Sequence, residues 1–427
     1  MPEALRSRPL SGAIREQAAR DVVSVLPNRA DDLARLQTLA EDGEPVVTVI
    51  GKYNHGKSRL LNELIGRDTF SVADRRETVA LSGSVHHGVR WLDAPGLDAD
   101  VGTEDDRHAW QAAWLESDVR LFVHAAKEGE LDAKELSLLA GLRADGDRTQ
   151  RQTFFVLSQV DQVADDAELD TVRDAIGAQV PGIALNAASA TRHRKGLEGG
   201  KALLLEKSGI PALRATLEAA LARVPGARAH ESALLFGEMR EELRQLRAGQ
   251  EHVLDALRDT QRQQRQAYDQ GLKAVIDKVS GDIGTMLNAL GPDDASVPDS
   301  AKDAYAITAG KRQRAQIQIG YSRACIEINA FLVGHGVVGL PPERQTAARS
   351  LNSVMVAVMG VSVKYRRDLR TMFCEAAGRD RMQRAFTQYY EWSDDRKALA
   401  TRISETGAAI AALDGATAAL HTLEAGA

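Results

Sequence analysis

Charge of one sign is missing from this 427-residue chain: 54 Lys+Arg stand against 60 Asp+Glu, a formal net of −6. That balance excludes a histone-like polycation and an acidic-tail protein. Aromatics are sparse too. Trp, Tyr and Phe make up 4% of the residues, too few for a base-stacking platform or an aromatic-lined carbohydrate cleft, so nucleic acid is not the expected partner. The only cysteines, Cys325 and Cys374, cannot build a disulfide framework and point to a reducing compartment, the cytoplasm. Long hydrophobic runs are also lacking. The start MPEALRSRPLSGAIREQ has no apolar signal-peptide core, and no stretch reaches the roughly 18–20 apolar residues of a spanning helix. What remains, 44% hydrophobic and 27% charged residues, is ordinary globular composition, with length for two or three domains.

Up to about Gly43 the pattern reads helix, kink, helix. Leu10, Ile14, Ala18, Val22 and Val25 keep helical spacing, Pro27 interrupts, and Leu33, Leu36 and Leu39 resume it. From Pro45 short β-rich runs alternate with helical stretches: VVTVI (46–50), SGSVHHG (82–88), VRWLD (89–93), VRLFVHA (119–125), TFFVLSQV (153–160) and GIALNAA (182–188). Such alternation predicts a mostly parallel sheet with helices on both faces. VPGARA at 224–229 reads as a boundary. After it a heptad seam is expected through Met239, Leu243, Leu246, Gln250, Val253 and Leu257, then Leu272, Val275, Val279, Ile283 and Leu290. A second seam follows Leu399, Ile403, Thr406, Ile410, Leu413, Thr417 and Leu420. The expected division is an arm at 1–43, an α/β domain at 44–224 and an all-α elongated helical bundle at 225–427.

Strand VVTVI runs into Gly51-Lys52-Tyr53-Asn54-His55-Gly56-Lys57-Ser58 and then into RLLNELIG, the phosphate-binding GxxxxGK[ST] pattern between a strand and a helix. Backbone N–H groups of Gly51–Ser58 and the helix N-terminus, with His55 and Arg59 alongside, can cradle phosphates. Lys57 can reach the β/γ-phosphates, and Ser58 can offer its hydroxyl to Mg²⁺. Farther along, WLDAPGL sets Asp93 at a strand end, able to hold Mg²⁺ through water, and Gly96 at the start of a loop whose N–H can meet a γ-phosphate. Thr78 lies between these elements and can complete the metal shell. At the end of TFFVL, Ser158-Gln159-Val160-Asp161 offers a carboxylate for guanine's N1–H and exocyclic amine, and Ser189-Ala190 follow another strand end. His86, His87 and His193 have no ligand-spaced partners, which argues against zinc, and Ser11 and Ser58 lack a His/Asp constellation for nucleophilic catalysis.

The order and spacing of these elements resemble the GTPase domains of the translation-factor-like class. GKYNHGKSRLLNELIG with DAPGL is most similar to bacterial dynamin-like proteins and their Era-like relatives, over about residues 45–222. The resemblance implies GTP/GDP as ligand, with guanine-nucleotide elements at Gly51–Ser58, Thr78, Asp93–Gly96, Ser158–Asp161 and Ser189–Ala190. Two departures stand out. The usual Asn/Thr-Lys-x-Asp is here Ser158-Gln159-Val160-Asp161, and loss of the lysine is expected to weaken nucleotide retention. Leu97 replaces the water-orienting glutamine of Ras-type GTPases. Asn54 occupies the position at which related GTPases help hold K⁺, so Lys57, Thr78, Gly96 and Asn54 are the expected catalytic residues, with dimer-dependent, K⁺-stimulated hydrolysis. Arg75 and Arg76 are expected as solvated loop charges.

The resemblance also implies a neck made from helices before and after the head, a reduced stalk, and self-assembly as a homodimer or larger array. A candidate tip at about 328–370 holds two apolar stretches, INAFLVGHGVVGLPP and LNSVMVAVMGVSV, followed by Lys364, Arg366, Arg367 and Arg370. From Lys302 to Arg384 there are 14 basic and 6 acidic residues, suited to anionic lipid at the inner face of the cell membrane or to a solvated helical face. The alternatives are an Era-like switch recognising RNA or a ribosomal partner, and a nucleotide-binding scaffold with little turnover.

Overall fold

Short runs of β-branched and apolar residues, two of them buried along their whole length, build one six-stranded sheet. The computed structural model describes residues 12–41, 43–71, 82–94, 110–290 and 308–426. Its strands are β1 (Val46–Ile50), β2 (Ser82–His86), β3 (Val89–Asp93), β4 (Val119–Ala125), β5 (Gln152–Ser158) and β6 (Leu185–Ala187). Their order is β2-β3-β1-β4-β5-β6, all parallel except β2, which pairs antiparallel with β3. His87 and Gly88, both with positive φ, make the two-residue turn that ends β2 sooner than expected. The last expected strand shrinks to β6 because Gly182 turns the chain at φ 74°.

Because side chains alternate along a strand, β4 serves two cores. Val119, Leu121 and Val123 join a cluster under the helices Lys57–Ile65 and Ile210–Leu221. Phe122 joins Leu139, Leu142, Leu169 and Ile176 of the helices Ala133–Thr149 and Asp166–Gln179 on the other face. This is the α/β arrangement with helices on both faces expected for a P-loop domain.

The chain divides into two compact units, one formed by Met1–Gln245 with Leu413–Ala427 and the other by Leu246–Ala412. In the first, the arm is helix Gly12–Val25, a short 3₁₀ turn beginning at Pro27, and helix Ala30–Ala40. Its Val22, Leu26, Leu33 and Leu36 pack with Leu235, Phe236, Met239, Leu413 and Leu420. In the second, Tyr268, Leu272, Ile276, Val279, Ile283 and Leu287 of the helix Val224–Ala289 form one core with the helices Ala309–Gly334 and Ala376–Glu391. Tyr268 stacks on Tyr390 at 3.9 Å between ring centroids.

The expected seam needs correction. Leu246 and Val253 are exposed, and Leu254 is buried instead. Farther along, Ile276 and Leu287 carry the core more than Val275 and Leu290. A helix at 3.6 residues per turn drifts against a strict heptad, so the buried stripe steps across it. The apolar stretches of 328–363 are chiefly core: Ile328, Leu332, Val337, Leu340, Val354, Met355, Met359 and Val363 are buried. Arg366 is buried as well, donating to Leu290 O at 3.0 Å. Among the described residues no helix is long and apolar enough to cross a membrane.

The N-terminal edge of the sheet carries a buried ionic network. Arg35 of the arm pairs with Asp118 (3.2 Å) and Glu231 (2.8 Å), Arg120 and Arg151 pair with Asp145 (2.6 and 2.9 Å), and Arg151 also meets Glu231 (3.3 Å). The three cations and three anions are all buried, so their charges balance out of water. Breaking such a network leaves an uncompensated charge. Glu231→Ala should lower the stability of this unit by about 3 kcal/mol in urea unfolding. Burial alone would raise the Asp145 carboxyl, but Arg151 and Arg120 outweigh it and hold the group below its ordinary value. A depressed carboxylate stabilises the fold above its unfolded pKa and loses that contribution as pH falls through its folded value. Urea midpoints should therefore fall below about pH 4, and Asp145→Asn should flatten that fall.

Candidate functional site

The C-terminal ends of β1, β3, β4 and β5 meet at one edge, the crevice in which open α/β sheets bind ligands. The loop after β1 crosses β4 so closely that a Cβ on Gly51 would lie 2.2 Å from the Val123 carbonyl oxygen, and Gly51 adopts φ +154°. Only glycine fits there. Asn54 (φ 59°) and Gly56 (φ 80°) turn the loop into the helix Lys57–Ile65, whose N-terminus has no side-chain cap. Its first N–H groups are thus left to a phosphate. The buried Lys57 ammonium donates to Gly51 O (3.0 Å) and Lys52 O (2.9 Å), placing it within the loop. Arg59 lies exposed on the first helical turn.

Ser58 and Asp93 come together, with the Ser58 hydroxyl donating to Asp93 Oδ2 at 2.5 Å. Asp93 Oδ1 is buried and has no hydrogen-bond partner among the described residues. Burial pushes this carboxyl above its ordinary value, against the lowering pull of the Ser58 hydroxyl and the Lys57 ammonium. An orphaned carboxylate oxygen beside a serine hydroxyl suits a hard divalent cation, so the pair fits Mg²⁺. Thr78 and Gly96, with Arg75, Arg76 and Leu97, lie outside the described residues.

The elements expected to read the base lie on the other side. Ser158 donates to His55 O at 2.6 Å, and Ser189 donates to Asp161 Oδ1 at 2.6 Å. Ser189 also caps the helix Ala190–Gly199 by accepting from Arg192 N, so it holds Asp161 from a rigid element, with Ala190 next in line. Gln159 adopts φ 56°, which turns its side chain over the phosphate loop, where Nε2 donates to Asn54 O at 2.5 Å. The glutamine thereby ties the segment after β5 to the phosphate loop, a connection not apparent from the residue exchange alone.

Sequence reasoning missed a second group behind the loop. Lys52 pairs with Asp132 (2.6 Å) and Glu135 (3.2 Å), and Glu135 also meets His124 at 2.8 Å. Asp132 and Glu135 form the capping box of the helix Ala133–Thr149. The D-x-x-E spacing marks a helix start in sequence but says nothing of these tertiary partners.

Residues 46–159 match the model of the 50S ribosome-binding GTPase family. An uncharacterized protein of Acinetobacter baylyi is 50% identical over 416 residues, which span 97% of this chain and 99% of that one. The GTPase Der of Streptococcus mutans is 33% identical over 100 residues, 21% of this chain and 22% of Der. Among solved structures, a bacterial dynamin from an oligomerised pair aligns with 99% of this chain and 96% of its own at 11% identity, with a TM-score of 0.46.

The Gln159 contact can be tested directly. Gln159→Ala should speed GDP release about fivefold, the worth of a hydrogen bond of about 1 kcal/mol, in stopped-flow displacement of a fluorescent GDP. An unchanged rate would mean that the contact does not help retain nucleotide.

Proposed function

We propose that this chain, which belongs to the same family as the uncharacterized Acinetobacter baylyi protein, is a dynamin-like GTPase that binds GTP with Mg²⁺, hydrolyses it and couples the cycle to its helical segments. The observation that carries the reading is the convergence of Lys57, the Ser58–Asp93 pair and the Ser189–Asp161 pair on one sheet edge. Lys57 would neutralise the β/γ-phosphates, the loop N–H groups would hold the phosphate chain, and Asp161 would accept from guanine. Ser58 and Asp93 would hold Mg²⁺, which when bound would supply positive charge near the phosphates. Exposed Asn54 stands where related GTPases hold K⁺, and we assign it that role here.

Coupling to the helical segments is supported by the opposite edge of the same sheet. There Asp118 accepts from Arg35 of the arm and from Arg228 of the following helix (2.6 Å), while its Oδ2 also takes the Val46 N–H (2.8 Å). β1 therefore runs from this junction directly into the phosphate loop. Self-assembly, and peripheral binding to anionic lipid from a cytoplasmic location, belong to the same proposal. Supporting it, Val361 (70% exposed) and Tyr365 (66%) stand beside the exposed Lys364 and Arg367. The description of the matching family model favours a second reading, a switch that recognises a ribosomal partner.

Phosphate release should be measured for wild type and Lys57→Ala, in K⁺ and in Na⁺, with and without anionic vesicles. We expect turnover in wild type, faster in K⁺ and with vesicles, and loss of at least about tenfold in the variant. Equal rates for the two proteins would remove hydrolysis. Equal rates in the two salts would remove the Asn54 role, and indifference to vesicles in both turnover and co-sedimentation would remove the lipid surface.

A further inference from the structure

Three buried side chains behind the phosphate loop converge: His55 from the loop, His124 at the end of β4, and Glu135 in the first turn of Ala133–Thr149. One potential ligand atom from each lies within 4.8 Å of the others. His124 Nε2 faces the Gly129 carbonyl at 3.1 Å. A carbonyl only accepts, so Nε2 carries hydrogen, and a neutral ring then presents a lone pair at Nδ1. That Nδ1 lies 2.8 Å from Glu135 Oε1, and His55 Nδ1 lies 3.8 Å from the same oxygen. A lone pair and a carboxylate oxygen do not face each other at that distance without positive charge between them. The charge is either a proton or a metal ion.

We propose that His55, His124 and Glu135 form a binding site for a borderline divalent metal ion of the Zn²⁺ type. A shared proton needs only the His124–Glu135 pair, whereas His55 sets a third potential ligand atom 3.8 Å from the same oxygen, within reach of one ion. Two imidazoles and one carboxylate are a donor set for Zn²⁺, not for Mg²⁺, which takes oxygen. The outer contacts are those that orient metal ligands: Gly129 O holds the far nitrogen of His124, and Glu135 Oε2 is held by Lys52 Nζ (3.2 Å) and the Asp132 N–H (3.1 Å). Burial first, and then His124, push the His55 imidazole below its ordinary value, which favours the neutral form that ligates. His55 Nδ1 faces Val123 O at 3.3 Å and so carries hydrogen there; on ligation that hydrogen exchanges through solvent to Nε2, which frees the Nδ1 lone pair, and a proton held between His124 and Glu135 leaves to solvent. The ion would join the phosphate loop to the helix behind it, so metal and nucleotide affinities would be linked reciprocally. The site itself does not rest on the GTPase reading.

The test uses the full chain without an affinity tag, stripped with a chelator and titrated with Co²⁺ and with Zn²⁺. We expect one bound Co²⁺ per chain with the intense visible absorption of a four-coordinate site, displaced by Zn²⁺. In His124→Ala and separately in Glu135→Gln the affinity should fall at least about tenfold, while His230→Ala, an exposed histidine outside the cluster, should match wild type. Weak absorption typical of six-coordinate Co²⁺, or equal affinity in wild type and both site variants, overturns the site. The wild-type spectrum decides the matter even if a variant fails to fold.

Discussion

The phosphate loop lies directly against the end of β4. Gly51 passes the Val123 carbonyl with no room for a side chain, and the rest of the site depends on that approach. Because the loop is pressed down there, His55 is buried against the same carbonyl and Lys57 turns inward to the loop oxygens. The helix that follows then starts in register to bring Ser58 to Asp93 at the neighbouring end of β3. A backbone constraint of this kind fixes where the loop's charges lie, the preorganisation that the proposed phosphoryl transfer would need.

The two edges of the sheet do different work with the same chemistry. At the C-terminal edge, polar groups converge with acceptors left over, such as Asp93 Oδ1, as a ligand site requires. At the N-terminal edge, Arg35, Arg120 and Arg151, with Arg228 at the rim, meet Asp118, Asp145 and Glu231, so each buried charge has an opposite partner. Burying charge this way adds little net stability over an apolar core, but it penalises every arrangement that separates arm, strand and following helix. Parallel strands of a few residues link the two edges, and β1 and β4 each touch both.

The phosphate loop and the strands were legible because each is local: a strand of β-rich or apolar residues, then loop residues of particular chemistry at fixed spacing, and Asp161 was singled out on the same local ground. Gln159 was legible as a departure but not in its consequence, because its contact with Asn54 depends on a left-handed backbone at its own position. The ionic network was invisible because its partners lie far apart in the chain, as Arg35 and Glu231 do. So were His124 and Glu135, which approach His55 only once β4 and its following helix are folded. In the helical segments much of the expected seam is buried, but the drift of a 3.6-residue turn left Leu246 and Val253 exposed and buried Leu254, and the stretches read as a candidate tip at 328–363 are chiefly core.

The central claim is that the edge formed by β1, β3, β4 and β5 is a guanine-nucleotide site. Calorimetric titration of the full chain with GDP and with ADP, each in Mg²⁺, tests it most directly. The account predicts a single GDP site at least about tenfold tighter than any ADP binding, because the base edge that Asp161 would read has no counterpart in adenine. Equal affinity for the two nucleotides, or heat from neither, would contradict it.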